Sequence, residues 1–400
     1  MATTVRSGHE GWQVAVTDGF SDRYDIEEAR FAAAGIDGVR YLRVETAAEV
    51  VDHCADVDVI IKGWIDLPRE SLERLPRLKA IIRAGIGVDM VDLAAATVAK
   101  VDGELRQAKA GTPEAILEVA RDADAILTTY AKVTTEVVSA LTKCKIIARF
   151  GIGVDNVDIE MATKKGIVVT KVPDYCIDEV SDHAMALLLT AVRKIPYSNK
   201  LVQAGDWRMP AVVPIARLRG TTLGLVGFGR IPQLVAPKAQ AFGINVVTYD
   251  PFVPKEVLEK ANVKHVSFEE LLKISDYVSL HCPLTAETRH LIGPRELRQM
   301  QPHAVLVNTS RAELIEENAL VTALNRGRPG MAAVDVFESE PILQGHPLLR
   351  LENAVCTPHI GFVEQDSYEH YFNAAFDNLL NYLNGQPTNI VNPEALHVKR

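Results

Sequence analysis

From residue 221 onward, short apolar runs recur at near-regular spacing: TTLGLVGFG (221–229), NVVTYDP (245–251), YVSLHCP (277–283), AVLVNTS (304–310), MAAVDV (331–336) and AVCTPH (354–359). Helix-length stretches separate them. Runs that are apolar throughout, and not alternating, are strands covered on both faces. That rhythm restricts the second half of the chain to a parallel sheet flanked by helices, an α/β architecture. It begins again nearer the N-terminus, with VAVTD at 14–18 and a helical IEEARFAAAG closed by Gly35.

An internal repeat lies between. Residues 40–100 align without gaps to 106–166, and 19 of the 61 pairs are identical. The clearest match is LKAIIRAGIGVDMVDL (78–93) with CKIIARFGIGVDNVDI (144–159), and DVDVIIKG (56–63) pairs with DADAILTT (122–129). Each unit reads as strand–helix–strand–helix–strand. Two copies, 40–105 and 106–171, suggest a tandem duplication within one sheet and not an array. A long helix over 179–195 follows, and then a polar, Pro-containing stretch with Trp207 and Pro214 that marks a domain crossing. The amphipathic YEHYFNAAFDNLLNYLNG (368–385) returns to the first domain. The expected domains are therefore 1–195 with 362–400, and 196–361.

LGLVGFGRIPQLV places Gly227 and Gly229 between a strand and a helix, as a dinucleotide fingerprint does. The glycines let the backbone approach a pyrophosphate seated at the helix N-terminus. Asp250, about twenty residues on, is placed to accept from the adenosine ribose hydroxyls and to repel a 2′-phosphate, which favours NAD over NADP. Pro232 stands where a third glycine is usual. A proline is tolerated in a helix's first turn, whereas Pro237 further in should kink it.

Three polar residues stand just past strand ends: Arg311 after NTS, Glu340 in DVFESEP and His359 in TPHIG. A guanidinium grips a carboxylate through two parallel hydrogen bonds. A histidine backed by a glutamate holds and hands over a proton near neutral pH. Beside a dinucleotide fold, the set reads as machinery for interconverting a 2-keto acid and a 2-hydroxy acid. A second grip on the substrate is expected from the turn ARFGIGVDN, through the backbone N–H groups of Gly151, Ile152, Gly153 and Val154. Arg149 and Tyr130 are its expected neighbours. Copy one repeats the glycines at Gly85 and Gly87 and is read as a structural duplicate.

Together these segments resemble the D-isomer-specific 2-hydroxyacid dehydrogenase family. KVPDYCIDEVSDHAMALLL, LRGTTLGLVGFGRI and SLHCPLTAETRHLI look most like the branch that includes C-terminal-binding protein. The resemblance covers about 14–39 and 106–393, leaving 40–105 as an addition. It implies a flavodoxin-like substrate domain and a Rossmann NAD domain, joined as a homodimer. It assigns the catalytic arginine, glutamate and histidine to Arg311, Glu340 and His359. Asp335 falls on the nicotinamide carboxamide side. Thr309, the Cys282–Pro283 turn, Arg230, Ile231, His281 and Gly361 fall along the cofactor. The glycine usual after the arginine is Ala312, which would be strained if the position needs a positive φ.

A net charge of −9 argues against a nucleic-acid partner. No apolar stretch approaches the roughly 20 residues of a membrane span. Five scattered cysteines without CxxC spacing fit reduced thiols in the cytoplasm. No metal-ligand cluster is expected. The competing reading is a non-catalytic NAD(H)-binding regulatory or corepressor-like protein. The substrate side chain stays open among hydroxypyruvate, glyoxylate, phosphoglycerate-like and aryl keto acids.

Overall fold

A computed structural model of the chain describes residues 13–16, 39–62, 65–78, 80–83, 106–364 and 367–398. It divides into two compact units, Met1–Pro173 with Gln365–Arg400, and Asp174–Glu364.

The described residues of the first unit form two parallel sheets. One has the order β2-β1-β3-β4, with β1 at Val14–Val16, β2 at Arg40–Tyr41, β3 at Val59–Lys62 and β4 at Ala80–Arg83. The other has the order β5-β6-β7, with β5 at Ala125–Thr128, β6 at Ile146–Arg149 and β7 at Val168–Thr170. The sequence reading put both repeat copies in one sheet; among the described residues the strands of the two copies lie in separate sheets. The reason is local: each copy closes its own apolar cluster, around Val50, Ile60 and Leu67 in one and Ile116, Val137 and Ile147 in the other.

The elements recur at the 66-residue offset of the repeat. Helix α1 (Ala47–Cys54) corresponds to α3 (Pro113–Ala120), and the short α2 (Arg69–Leu72) to α4 (Thr135–Ala140). Thr46 and Thr112 both cap their helices, accepting from the backbone N–H three residues on. The Arg40–Asp56 ion pair has its counterpart in Arg106–Asp122, each at 2.8 Å. The expected helix before Gly35 and the first-copy turn at Gly85 and Gly87 lie outside the described residues.

Helix α5 (Ile159–Lys164) leads into β7, whose edge is met by the end of the chain. Thr170 forms an antiparallel bridge with Ile390. The buried Asn392 accepts from the Val169 N–H at 2.7 Å and donates to the Ile167 carbonyl at 3.0 Å. A backbone edge that would otherwise be open is thereby satisfied. The C-terminal helix Ser367–Leu383 packs on β6, where Phe150 meets Tyr371 and Phe376 edge-on.

The second unit is a seven-stranded parallel sheet of order β10-β9-β8-β11-β12-β13-β14. Its strands are β8 Thr222–Val226, β9 Asn245–Tyr249, β10 Lys264–His265, β11 Tyr277–Leu280, β12 Val305–Asn308, β13 Met331–Val334 and β14 Ala354–Cys356. Successive residues serve opposite faces: Val305 and Val307 enter one cluster with Leu223 and Tyr277, and Leu306 enters another with Leu271 and Leu280. Both faces are therefore filled, as the continuous apolar runs require. The chain reverses its direction of travel across the sheet between β8 and β11, the switch point at which open α/β sheets bind ligands.

Helix α6 (Ile177–Val192) buries Val180, Ala184, Leu187, Leu188 and Ala191, a stripe at helical spacing. That stripe is covered by helix Arg230–Ala241 and by β12 and β13, so α6 belongs to the second unit. The division thus falls at 173/174, ahead of the 195/196 boundary drawn from sequence. Helix α7 (Ile195–Gln203) follows, and then α8 (Arg230–Ala241) opens directly after the glycine turn.

Candidate active site

Gly227 follows β8 with φ at +95°. A Cβ there would lie 3.0 Å from the backbone nitrogen of Cys282 and 3.1 Å from the carbonyl carbon of His281. The position therefore needs glycine twice over, for its φ and for the close approach of the chain leaving β11. Gly229 is different: it N-caps α8 with a negative φ, and a Cβ would meet nothing within 4 Å. The space beside it is open.

The Asp250 carboxylate accepts from the Phe228 N–H at 2.7 Å and the Phe252 N–H at 2.8 Å, which holds it against the glycine turn. Pro232 is the third residue of α8 and is buried. Its missing N–H is one of those left without an intrahelical partner in a first turn, so no helix bond is lost. Pro237 lies inside the helix, which continues to Ala241.

Thr309 places a buried Oγ1 without a partner at the end of β12. The neighbouring Ser310 hydroxyl donates to the Cys282 carbonyl at 2.7 Å, tying this strand end to that of β11. Burial pushes the Cys282 thiol up to about 11 and the His281 imidazole down to about 4, so both are neutral near pH 7. His281 Nε2 lies 2.9 Å from the Ser279 hydroxyl. Arg230 pairs with Asp174 at 3.3 Å on an exposed face. A glycine-built turn with open space, a helix N-terminus, a tethered acid and an orphaned hydroxyl fit a dinucleotide.

On the same unit stand the three residues singled out for chemistry. His359 Nδ1 lies 2.7 Å from Glu340 Oε2, and Glu340 Oε1 accepts from the Phe337 N–H at 2.9 Å. Burial works to raise the Glu340 carboxyl. The hydrogen bonds from His359 and Phe337 and the charges of His359 and Arg311 outweigh it and hold the group below its ordinary value. The carboxylate is thus ionised at neutral pH, and Nδ1 carries a proton to it.

Arg311 follows β12 in extended backbone. Its carbonyl accepts from Asn308 Nδ2 and its Nη1 donates to the Ser310 carbonyl, both at 2.8 Å. Ala312 is not among the residues with positive φ, so alanine in place of the usual glycine carries no backbone strain.

His359 itself has φ at +54°, a conformation that costs a non-glycine residue on the order of 1–3 kcal/mol. Its neighbours are fastened to one acid, Asp335, which is 1% exposed. Asp335 Oδ1 accepts from the Thr357 hydroxyl at 2.5 Å and the Ile360 N–H at 3.0 Å, and Oδ2 accepts from the Gly361 N–H at 2.8 Å. The resemblance put Asp335 beside a nicotinamide carboxamide; here the chain's own donors occupy both of its oxygens. His183 joins from α6, with Nε2 3.0 Å from Thr357 Oγ1. Sequence reasoning missed His183 and Thr357. The available signal was a polar side chain at the margin of the apolar stripe of α6.

The residues proposed for substrate in the first unit gather at the ends of β5 and β6. Tyr130 is 59% exposed, and Arg149 ends β6 with Nη1 on the Phe150 carbonyl at 2.7 Å. The Gly151 N–H donates to the Arg149 carbonyl at 3.1 Å, within the turn. Ile152, Gly153 and Val154 keep their place in the turn.

Comparison with known proteins gives two family matches. The D-isomer specific 2-hydroxyacid dehydrogenase NAD binding domain matches residues 185–361, and that family's catalytic domain matches 14–102. The second match takes in nearly all of copy one, so 40–102, expected to be additional to the family pattern, lies within it. A glyoxylate reductase from Thermococcus litoralis is 41% identical over 289 residues, 70% of this chain and 87% of the relative. A D-3-phosphoglycerate dehydrogenase from Methanocaldococcus jannaschii is 41% identical over 293 residues, 72% of this chain and 56% of that longer protein. The solved glyoxylate reductase of Paecilomyes thermophila superposes with a TM-score of 0.61 at 26% identity, over 96% of this chain and 99% of that one.

Proposed function

The chain belongs to the D-isomer specific 2-hydroxyacid dehydrogenase family, and from that membership we propose that it reduces a small 2-keto acid to the D-2-hydroxy acid, and the reverse, with NAD as its cofactor. The observation that carries this reading is the His359–Glu340 contact of 2.7 Å, in the same compact unit as a dinucleotide-type turn.

The turn at Gly227–Gly229 and the N-terminus of α8 would hold the pyrophosphate, Asp250 the adenosine ribose and Thr309 a neighbouring polar group. When bound, the nicotinamide supplies or accepts the hydride. The chain's own residues do the rest. Arg311 binds the substrate carboxylate and polarises the 2-keto oxygen. With Nδ1 committed to Glu340, proton exchange with that oxygen falls to His359 Nε2. Glu340 stays anionic and stabilises the imidazolium before the proton leaves.

Tyr130, Arg149 and the N–H groups of Ile152, Gly153 and Val154 are the candidates for a second set of substrate contacts. The glyoxylate reductases among the relatives make glyoxylate the first substrate to try, and hydroxypyruvate the second. The regulatory alternative is weakened by the complete Arg311, Glu340 and His359 set. Trp207 and Met209, exposed by 86% and 75%, offer apolar surface to the homodimer that the family resemblance implies. Cys54, Cys144, Cys176 and Cys282 are buried, which suits thiols in the cytoplasmic setting expected from sequence. The test is NADH oxidation against a panel of 2-keto acids, which should show turnover that His359→Ala abolishes.

A further inference from the structure

His359 is held in the left-handed region at φ +54°, and a non-glycine residue stays there only when its surroundings over-determine it. The over-determination is visible on both sides of it. Thr357 before it, and Ile360 and Gly361 after it, all donate to the single buried carboxylate of Asp335.

Counting protons shows what completes the arrangement. The Thr357 hydroxyl has one hydrogen, and at 2.5 Å that hydrogen goes to Asp335 Oδ1. His183 Nε2, 3.0 Å from the same hydroxyl oxygen, must therefore be the donor in that contact. Nε2 also lies 3.3 Å from Asp335 Oδ1. The His183 ring further bounds Gly361, where an added Cβ would come within 3.3 Å of Cδ2 and 3.0 Å of Asp335 Oδ2. One imidazole thus fixes the hydroxyl, the acid and the glycine that together hold the 357–361 loop.

We propose that His183, reaching from α6, is a positioning residue that holds His359 in its reactive place through Thr357 and Asp335. The inference rests on the reading of His359 as the acid/base. His183 meets no reacting atom in this account; it acts only through the loop.

The contrast to measure is His183→Asn against His183→Gln in the full-length protein. A glutamine amide reaches about as far as the imidazole Nε2, and an asparagine falls a methylene short. His183→Asn should lower kcat on a 2-keto acid by about tenfold or more, since displacement of a reacting group by about 1 Å can cost a hundredfold. KM for NADH should move little, and His183→Gln should restore kcat to within about threefold. Amide hydrogen exchange at Ile360 and Gly361 supplies a readout independent of activity. It should be slow in wild type and in His183→Gln, and faster in His183→Asn.

Unchanged kcat in His183→Asn would overturn the proposal. So would a fall in kcat while those two amides remain protected, because the effect would not run through the clamp. Faster exchange with normal kcat would make His183 merely structural and also overturn it. Failure of the underlying reading looks different: no turnover by wild type, or wild-type turnover by His359→Ala, whatever the exchange rates.

Discussion

The two glycines of the dinucleotide turn should respond oppositely to the same small change. In Gly227→Ala the new methyl meets backbone atoms at 3.0 and 3.1 Å, and these belong to the chain leaving a central strand and cannot swing aside as a side chain would. The residue must also keep φ near +95°. A left-handed conformation costs roughly 1–2 kcal/mol, and overpacking adds about 1–3 kcal/mol. The sum, about 2–5 kcal/mol, is a large part of a domain's stability. For a unit of this size it lowers Tm by about 4–20 °C. In Gly229→Ala the methyl enters open space at an ordinary φ, so Tm should move by no more than about 3 °C. If that space receives a pyrophosphate, Kd for NADH should rise by about tenfold or more. Differential scanning calorimetry and NADH fluorescence titration separate the two effects. A Gly227→Ala protein that melts as wild type, or a Gly229→Ala protein that binds NADH as wild type, would refute the reasoning.

Asp250→Ala should narrow the preference for NADH over NADPH by about tenfold or more, read from kcat/KM with each, because the carboxylate tethered at 2.7 Å to Phe228 no longer repels a 2′-phosphate. His281 is pushed by burial from 6.5 to about 4, so below pH 6.5 the unfolded chain takes up a proton that the native protein refuses. Stability should therefore fall as pH drops from about 6.5 to about 4 and level off beneath, by up to about 3 kcal/mol from this group. His281→Asn should flatten that part of a urea-denaturation series. Gly153→Asp should abolish turnover while Gly87→Asp leaves it largely intact; equal losses in two folded variants would move the substrate role away from copy two alone.

Much of the second unit could be read in the sequence because its signals are local. Strands buried on both faces are continuous apolar runs, and the residues just beyond Asn308, Val334 and Cys356 fall at one end of a parallel sheet. Their order along the chain therefore placed Arg311, Glu340 and His359 at that end, where His359 meets Glu340 at 2.7 Å. The clamp beneath His359 was less legible, since it joins α6 to a loop more than 170 residues away and His183 looks like one polar residue near a helix's apolar stripe. The boundary ahead of α6 was missed for a related reason: an amphipathic helix shows that it has a buried face but not what covers it. In the first unit the repeat revealed the elements and their spacing. Whether two copies share a sheet depends on edge pairing, which periodicity does not encode. Pro232 was correctly expected to be tolerated, because the argument needs only the first turn of a helix.

In the proposed reaction His359, held by Glu340, exchanges the proton with a 2-keto oxygen while Arg311 holds the carboxylate. The most direct test is NADH oxidation, followed optically, against glyoxylate, hydroxypyruvate and bulkier 2-keto acids for wild type and His359→Ala. Turnover is expected on at least one of them, reduced by about a hundredfold or more in the variant while NADH still binds. Tight NADH binding with no turnover on any member, or equal turnover in the two proteins, would contradict it.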